Sequence, residues 1–463
     1  MNSSSSPHIP LGYHAFDRLQ AEHEGDWLAD VFIRPADFDA IAGMRSVIIF
    51  GESGAGKTAL RLALARQGLR PDGAPVRLAV LWQPELPFLE PTGGHVVQEF
   101  LNQALDACAL ALMRHLGRWP DVCMAAPPWV RDTVSWFVHQ YLIGDHTYHL
   151  SRMEDEATQQ GRQILQELIG SLPRPILPKG APAPRVITTL ATAIHRLGLD
   201  SIWVIVDGLE PWVSADAEPL AQTLKALLST LALFEEPGFA MKLLVPATIE
   251  TALLTSGGIM RRRLDVYRLD WEDEQLLAIV KRRLVAATGR ATFRLMDLCA
   301  APQLIDWLKT YGGGSPRGWL ELVGQLADAY MARGMDRPLS LDEWVETYRR
   351  HPPRLHMDLA TDRIFIGYAE IDGLQPGGYR LMRYLYKQHP RMCSRSELYY
   401  RAHLGLDQEP RAREDKGWED PTAWSGTIDT LLWRLRQRIE PDPKRPLYIH
   451  SDRGRGVRLK HVE

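Results

Sequence analysis

The feature that most constrains this chain is an octapeptide, Gly51-Glu52-Ser53-Gly54-Ala55-Gly56-Lys57-Thr58. It fits the pattern G-x-x-x-x-G-K-[ST] at every position. Before it lies Ser46-Val-Ile-Ile-Phe50, a β-branched and aromatic run that reads as a buried strand. After it, Thr58 to Gln67 reads as a helix. A strand, a glycine-rich turn and a helix in that order predict a parallel α/β sheet. The same order predicts a chemistry. Backbone N–H groups of the turn and of the helix N-terminus converge on an anion. Glycines at 51, 54 and 56 permit left-handed dihedrals and a close backbone approach that side chains would block. The loop and its first helical residues, Gly51 to Ala59, are therefore the candidate cofactor-binding set. Lys57 is expected to reach the outer phosphates of a nucleotide, and Thr58 to hold Mg²⁺ through its hydroxyl.

A second constellation complements the first. Ile202-Trp-Val-Ile-Val-Asp207-Gly-Leu-Glu210 is an apolar strand ending in an acid. Such a strand delivers Asp207 beside the loop as a second Mg²⁺ ligand. Many related ATPases carry Glu directly after this Asp; here Gly208 takes that place and Glu210 follows two residues later. Asp-Gly-Leu-Glu resembles the Asp-Gly-x-Asp/Glu pattern of NACHT-type ATPases in the STAND class. That resemblance implies that Glu210 positions the attacking water; the alternative is a helix-cap or first-turn acid. Thr248, after the run Lys242 to Val245, sits where related ATPases place a polar sensor beside the γ-phosphate. Gly314-Ser-Pro-Arg317-Gly318 resembles the lid-helix motif of AAA+ proteins and the Gly-x-Pro signature of the STAND lid, which implies Arg317 as a sensor acting within its own chain. Arg261-Arg262-Arg263 lies where oligomeric relatives carry an arginine finger. The alternatives are an ordinary loop Thr for Thr248, a surface Arg at a helix start for Arg317 and a solvated basic turn for 261–263.

Pattern and length divide the chain. Residues 1–29 read as a Ser-rich tail and opening segment, without the basic and apolar stretches of a secretory signal. Residues 30–269 read as the P-loop core, with strands near 76–82, 201–206, 242–245 and 266–269. A helical insertion spans about 84–200, far more chain than a crossover needs. It holds His139, His146 and His149, which lack a supporting carboxylate pattern and read as ordinary polar residues. Residues 270–350 read as a helical lid. Arg349 to Arg354 reads as a linker, and 360–463 as a separate module. The expected fold class is α/β: a P-loop NTPase core with helices on both faces of a parallel sheet, an α-helical lid and a C-terminal α+β winged helix.

Composition narrows the class. With 45% hydrophobic and 24% charged residues the chain is globular, and no run reaches the ~18 apolar residues of a membrane span. Four dispersed cysteines exclude a Cys-x-x-Cys metal site and fit a reducing cytoplasm. Residues 361–463 hold 19 Lys+Arg against 15 Asp+Glu, whereas the rest of the chain has an excess of acid. A basic end on an acidic body points to a terminal nucleic-acid module.

The C-terminal residues, about 362–461, resemble the winged helix of OmpR-type response regulators. Leu374 to Leu385 looks like its first helix, Cys393-Ser-Arg-Ser-Glu-Leu398 like the start of the second with Ser394 as cap, Thr427 to Glu440 like the recognition helix, and Tyr448 to Leu459 like the wing hairpin. Ile428, Leu431, Leu432, Leu435 and Ile439 form a core stripe on the recognition helix. The resemblance implies duplex-DNA contacts from Trp433, Arg434, Gln437 and Arg438, with Arg434 and Gln437 at base edges and Arg453, Arg455 and Arg458 at phosphates. Two departures stand out: a long mixed-charge loop from about Leu404 to Gly426, and Trp433 on the outer face, where a polar residue is usual. An exposed Trp suits a protein partner as well as DNA.

The chain as a whole resembles a bacterial STAND or AAA+-like ATPase carrying an OmpR-type winged helix. That resemblance implies ATP and Mg²⁺ as cofactors, nucleotide-dependent homo-oligomerisation, and DNA or a protein as partner. Three readings follow: an ATP-driven switch, a DNA-binding regulator that holds nucleotide without turnover, and a docking scaffold in bacterial defence or signalling.

Overall fold

A computed structural model of the chain describes residues 16, 21–25, 27–70, 73–85, 94–170, 173–213, 218–255, 264–335, 337–359, 363–410, 415 and 417–463. The chain divides into two compact units, Gln20–Asp270 and Trp271–Glu463, the second joined by the chain start.

The first unit is built on five parallel strands: β1 (Val47–Gly51), β2 (Arg77–Trp82), β3 (Ser201–Val206), β4 (Phe239–Pro246) and β5 (Asp265–Arg268). Their order across the sheet is β2-β3-β4-β1-β5. Strands β1, β3 and β4 are buried at every residue, as continuous apolar runs covered on both faces must be. Strand β4 lies between β1 and β3, so the phosphate-loop candidate and the acid-bearing strand are separated by one strand.

The long β2–β3 connection is helical: Gly94–Arg118, Pro120–Met124, Pro128–Tyr141, His146–Met153, Gln159–Gly170 and Ala183–Arg196. Proline opens three of these helices, at positions where its missing N–H costs nothing. The helices do not make a body of their own. Phe100, Leu105, Leu112, Phe137 and Leu190 belong to one continuous core with Ile48, Val80, Val204 and Leu243 of the sheet. The insertion thus covers a sheet face.

The second unit contains the helices Asp273–Thr288, Leu304–Gly312, Pro316–Ala332 and Leu341–Arg350, and then the C-terminal module. The module starts with the antiparallel sheet β6 (Leu355–Asp358), β7 (Arg363–Ile366) and β8 (Ala369–Glu370), in that order. Helices Pro376–Gln388 and Pro421–Ile439 and the hairpin β9 (Ile449–Asp452)/β10 (Gly456–Leu459) follow. Arg349 to Arg354 is not a free linker. The helix runs through Arg350, and the Tyr348 hydroxyl meets that of Tyr448 at 3.0 Å in a buried position. Tyr448 also donates to the Pro353 carbonyl, and Arg349 to the Arg445 carbonyl. Trp307 packs edge-on against Trp344 and Tyr348, which secures these helices to the same junction. The four cysteines are buried and free.

Candidate functional site

The Gly51–Thr58 segment leaves β1 and turns into the helix Lys57–Arg66. Gly54 and Gly56 have φ of 78° and 92°, which an L side chain rarely adopts. At Gly51 the reason is space, since a Cβ would lie 3.2 Å from Lys57 Cγ. Lys57 is almost fully buried, and its Nζ donates to the Gly51 and Glu52 carbonyls at 2.8 and 2.9 Å. The ammonium is thereby folded back over the loop.

Strand β3 brings Asp207 to this point, with the Asp207 N–H held by the Trp82 carbonyl of β2. Thr58 Oγ1 donates to Asp207 Oδ2 at 2.9 Å. Asp207 is buried, and burial pushes its carboxyl pKa up, against the opposing pull of Arg61, Thr58 and the Gly208 N–H. A hydroxyl and a carboxylate so placed are two hard oxygen donors, the set that Mg²⁺ takes.

Glu210 opens a short 3₁₀ helix and lies 2.9 Å from Lys57 Nζ. Its carboxylate pairs with the lysine from the first turn of that helix. Gly208 has φ of 79°, with Gln83 packed against the space its Cβ would take. A Glu directly after Asp207 would be strained there.

Strand β4 ends beside the loop, with Pro246 paired to Gly51. Thr248 lies two residues on, exposed in the 3₁₀ turn Ala247–Ile249. Arg261, Arg262 and Arg263 lie outside the described residues. Arg317 follows the cap Ser315 and Pro316 at the start of its helix, and within its own unit it faces Glu321 and Tyr368. His139, His146 and His149 each bond a backbone carbonyl, of Leu168, Leu142 and Ile143.

One functional candidate escaped the sequence reading. Arg61 is buried, with Nε 3.6 Å from Asp207 Oδ2 and a terminal nitrogen 3.2 Å from Glu22. The signal was present: Arg61 is three residues after Thr58 and four after Lys57, on one helix face.

In the C-terminal module the third helix begins at Pro421, six residues before the expected Thr427, behind an Asp420 cap. Ile428, Leu431, Leu432, Leu435 and Ile439 are buried as the stripe predicts. Trp433 is 60% exposed on the opposite face, where Gln437 is also exposed. The helix arginines are less free than expected. Arg434 donates to the Gln375 side chain, Arg438 to the Asp372 carbonyl, and Arg436 to Ile449 O and Ser451 Oγ of the wing. Arg453 and Arg455 project from the wing turn, while Arg458 is half-buried. The turn needs Gly456, because a Cβ there would fall 2.0 Å from the Cys393 carbonyl oxygen.

Among the described residues no helix is long and apolar enough to cross a membrane. No protein-family model matches the chain, and no curated protein matches it. Solved structures do. The chain is similar to the Aeropyrum pernix Orc1 protein in complex with DNA, at 12% identity and a TM-score of 0.37, covering 95% of this chain and 92% of that one. It is similar to the Aeropyrum pernix ORC2 protein in ADPNP–ADP complexes, at 13% identity and a TM-score of 0.35, covering 99% and 93%. It is also similar to Cdc6p from Pyrobaculum aerophilum, at 12% identity and a TM-score of 0.34, covering 100% and 93%.

Proposed function

We propose that this chain binds ATP with Mg²⁺ at the Gly51–Thr58 loop, hydrolyses it, and uses its nucleotide state to control self-association and duplex-DNA binding by the C-terminal module. The observation that carries the nucleotide reading is the convergence of Lys57, Thr58, Asp207 and Glu210 from two separate strands on one loop end. Loop N–H groups and Lys57 hold the phosphates. Thr58 and Asp207 hold the metal, which neutralises charge on the phosphate oxygens when bound. Glu210, 2.9 Å from Lys57, orients the attacking water. The STAND and AAA+ resemblance adds Thr248 and Arg317 as sensors and one of Arg261, Arg262 or Arg263 as a finger toward a neighbouring subunit.

For the module, the wing arginines Arg453 and Arg455 support phosphate contacts, with Arg458, Arg434, Gln437 and Arg438 contributing as the winged-helix resemblance implies. A second reading has its own observation. Trp433 is 60% exposed while Arg434 and Arg438 are bonded within the module, a balance that favours protein docking over base readout. The deciding experiment measures ATP turnover by the purified chain with and without duplex DNA, together with DNA binding across a salt series. Turnover and a steep loss of DNA affinity with salt support the switch. ATP binding without turnover favours a regulator that holds nucleotide as a structural ligand. No DNA binding at low salt by the ATP-bound chain moves the module to protein docking.

A further inference from the structure

Arg61 is buried at 5% exposure within the helix that starts at Lys57, although it carries a guanidinium. Burial of such a group needs compensating charge on more than one side. Here there are two carboxylates. Asp207 Oδ2 lies 3.6 Å from Arg61 Nε, and that same oxygen accepts the Thr58 hydroxyl at 2.9 Å. Glu22 Oε1 lies 3.2 Å from an Arg61 terminal nitrogen. Glu22 belongs to the short turn Ala21–His23, which the helix grips a second time where Arg66 donates to the Gly25 carbonyl at 2.7 Å. The chain Glu22–Arg61–Asp207 therefore ties the segment before the core to one oxygen of the Asp207 carboxylate.

We infer that Arg61 is a positioning residue that fixes the Asp207 carboxylate for Mg²⁺, and that Glu22 in turn orients Arg61. The inference rests on the nucleotide reading above. A guanidinium suits the task because its planar fork presents separate donors to two carboxylates at once, which a lysine ammonium on a flexible stem does not. With one oxygen hydrogen-bonded by Thr58 and 3.6 Å from the Arg61 guanidinium, the carboxylate is restrained on that side, and its other oxygen is left to the metal. Partners behind a metal ligand act in this way through orientation, without touching the metal.

The test uses the full chain and calorimetric ATP affinity in excess Mg²⁺ and in EDTA, reading the ratio of the two Kd values. In the wild type Mg²⁺ tightens binding. Arg61→Met is expected to leave the EDTA value nearly unchanged and to cut the Mg²⁺ enhancement by about 10- to 100-fold. Arg61→Lys should recover part of that loss. Glu22→Ala, at a half-exposed position that leaves the core intact, should reduce the enhancement by about two- to fivefold, the range of one exposed ion pair. It decides the matter if Arg61→Met does not fold. A merely structural Arg61 would weaken both Kd values together, and that result, or an unchanged ratio in every variant, overturns the inference. If the wild type binds no ATP in either condition, the nucleotide reading fails and this inference with it.

Discussion

The Lys57 ammonium and the Glu210 carboxylate lie 2.9 Å apart, the lysine almost fully buried and the glutamate reaching in from the 3₁₀ turn after β3. On the proposed nucleotide reading, phosphates and Glu210 would compete for the same cation. Glu210→Gln removes the competing charge. We expect ATP binding that is equal to or tighter than wild type, with hydrolysis slowed. Unchanged turnover in Glu210→Gln would remove the water-orienting role.

Lys57→Ala removes the loop's one ammonium, since no other lysine lies between Gly51 and Ala59. Hydrogen bonds to charged groups contribute about 1.5–3 kcal/mol, so ATP affinity should fall by about 10- to 100-fold. Calorimetry giving equal affinity for mutant and wild type rejects the phosphate assignment.

Trp433→Ala should change thermal stability by no more than about 0.5 kcal/mol, because the side chain is exposed and outside the core stripe. Its effect on binding separates the two readings of the module. Loss of duplex-DNA affinity supports the DNA face; unchanged DNA binding with loss of a protein partner supports docking. Arg455→Ala should weaken all DNA sequences alike and flatten the salt dependence.

Tyr448 donates to the Pro353 carbonyl and also meets the Tyr348 hydroxyl, so it has two partners where Tyr348 has one at this junction. Each lost bond is worth about 1 kcal/mol. Tyr448→Phe should therefore destabilise Trp271–Glu463 more than Tyr348→Phe, and the double variant should fall short of the sum. Denaturant unfolding of the three proteins checks this. Strict additivity would mean that the two hydroxyls act separately.

His115 is buried in the helix Gly94–Arg118, where desolvation and then the charge of Arg70 lower its pKa to about 4. The unfolded chain takes up this proton first, near pH 6.5. Stability is therefore fully present above about pH 6.5 and falls as pH drops toward 4, by about 3 kcal/mol at most. His115→Leu should flatten that part of the stability–pH curve. An unchanged slope would show that other groups set it.

The turn at Gly51–Thr58 was legible because its geometry is local. A strand, three glycines and Lys-Thr in register fix both the backbone path and the donors, wherever the rest of the chain goes. Asp207 was legible for a similar reason, since a wholly apolar strand ending in an acid reads as a buried strand that delivers it. The buried stripe of Pro421–Ile439 was readable from its spacing alone. The helix start was not, because Asp420-Pro421 lay at the end of a loop whose charge pattern hid the cap.

What tertiary structure decided was partnership. Arg61 reads as one more helix-surface arginine until folding sets β3 and the Ala21–His23 turn on either side of it. Glu440 reads as a polar helix end, yet it is buried and accepts the N–H groups of Leu447, Tyr448 and Ile449, fixing the turn into the wing. The insertion's pattern announced helices without saying that their apolar faces would close over the sheet, because periodicity gives the face and not its partner. Arg434 and Arg438 look free in sequence for the same reason, and only the packed module supplies Gln375 and the Asp372 carbonyl. Local spacing set which side chains stand on one face; long-range packing set which charges those faces meet.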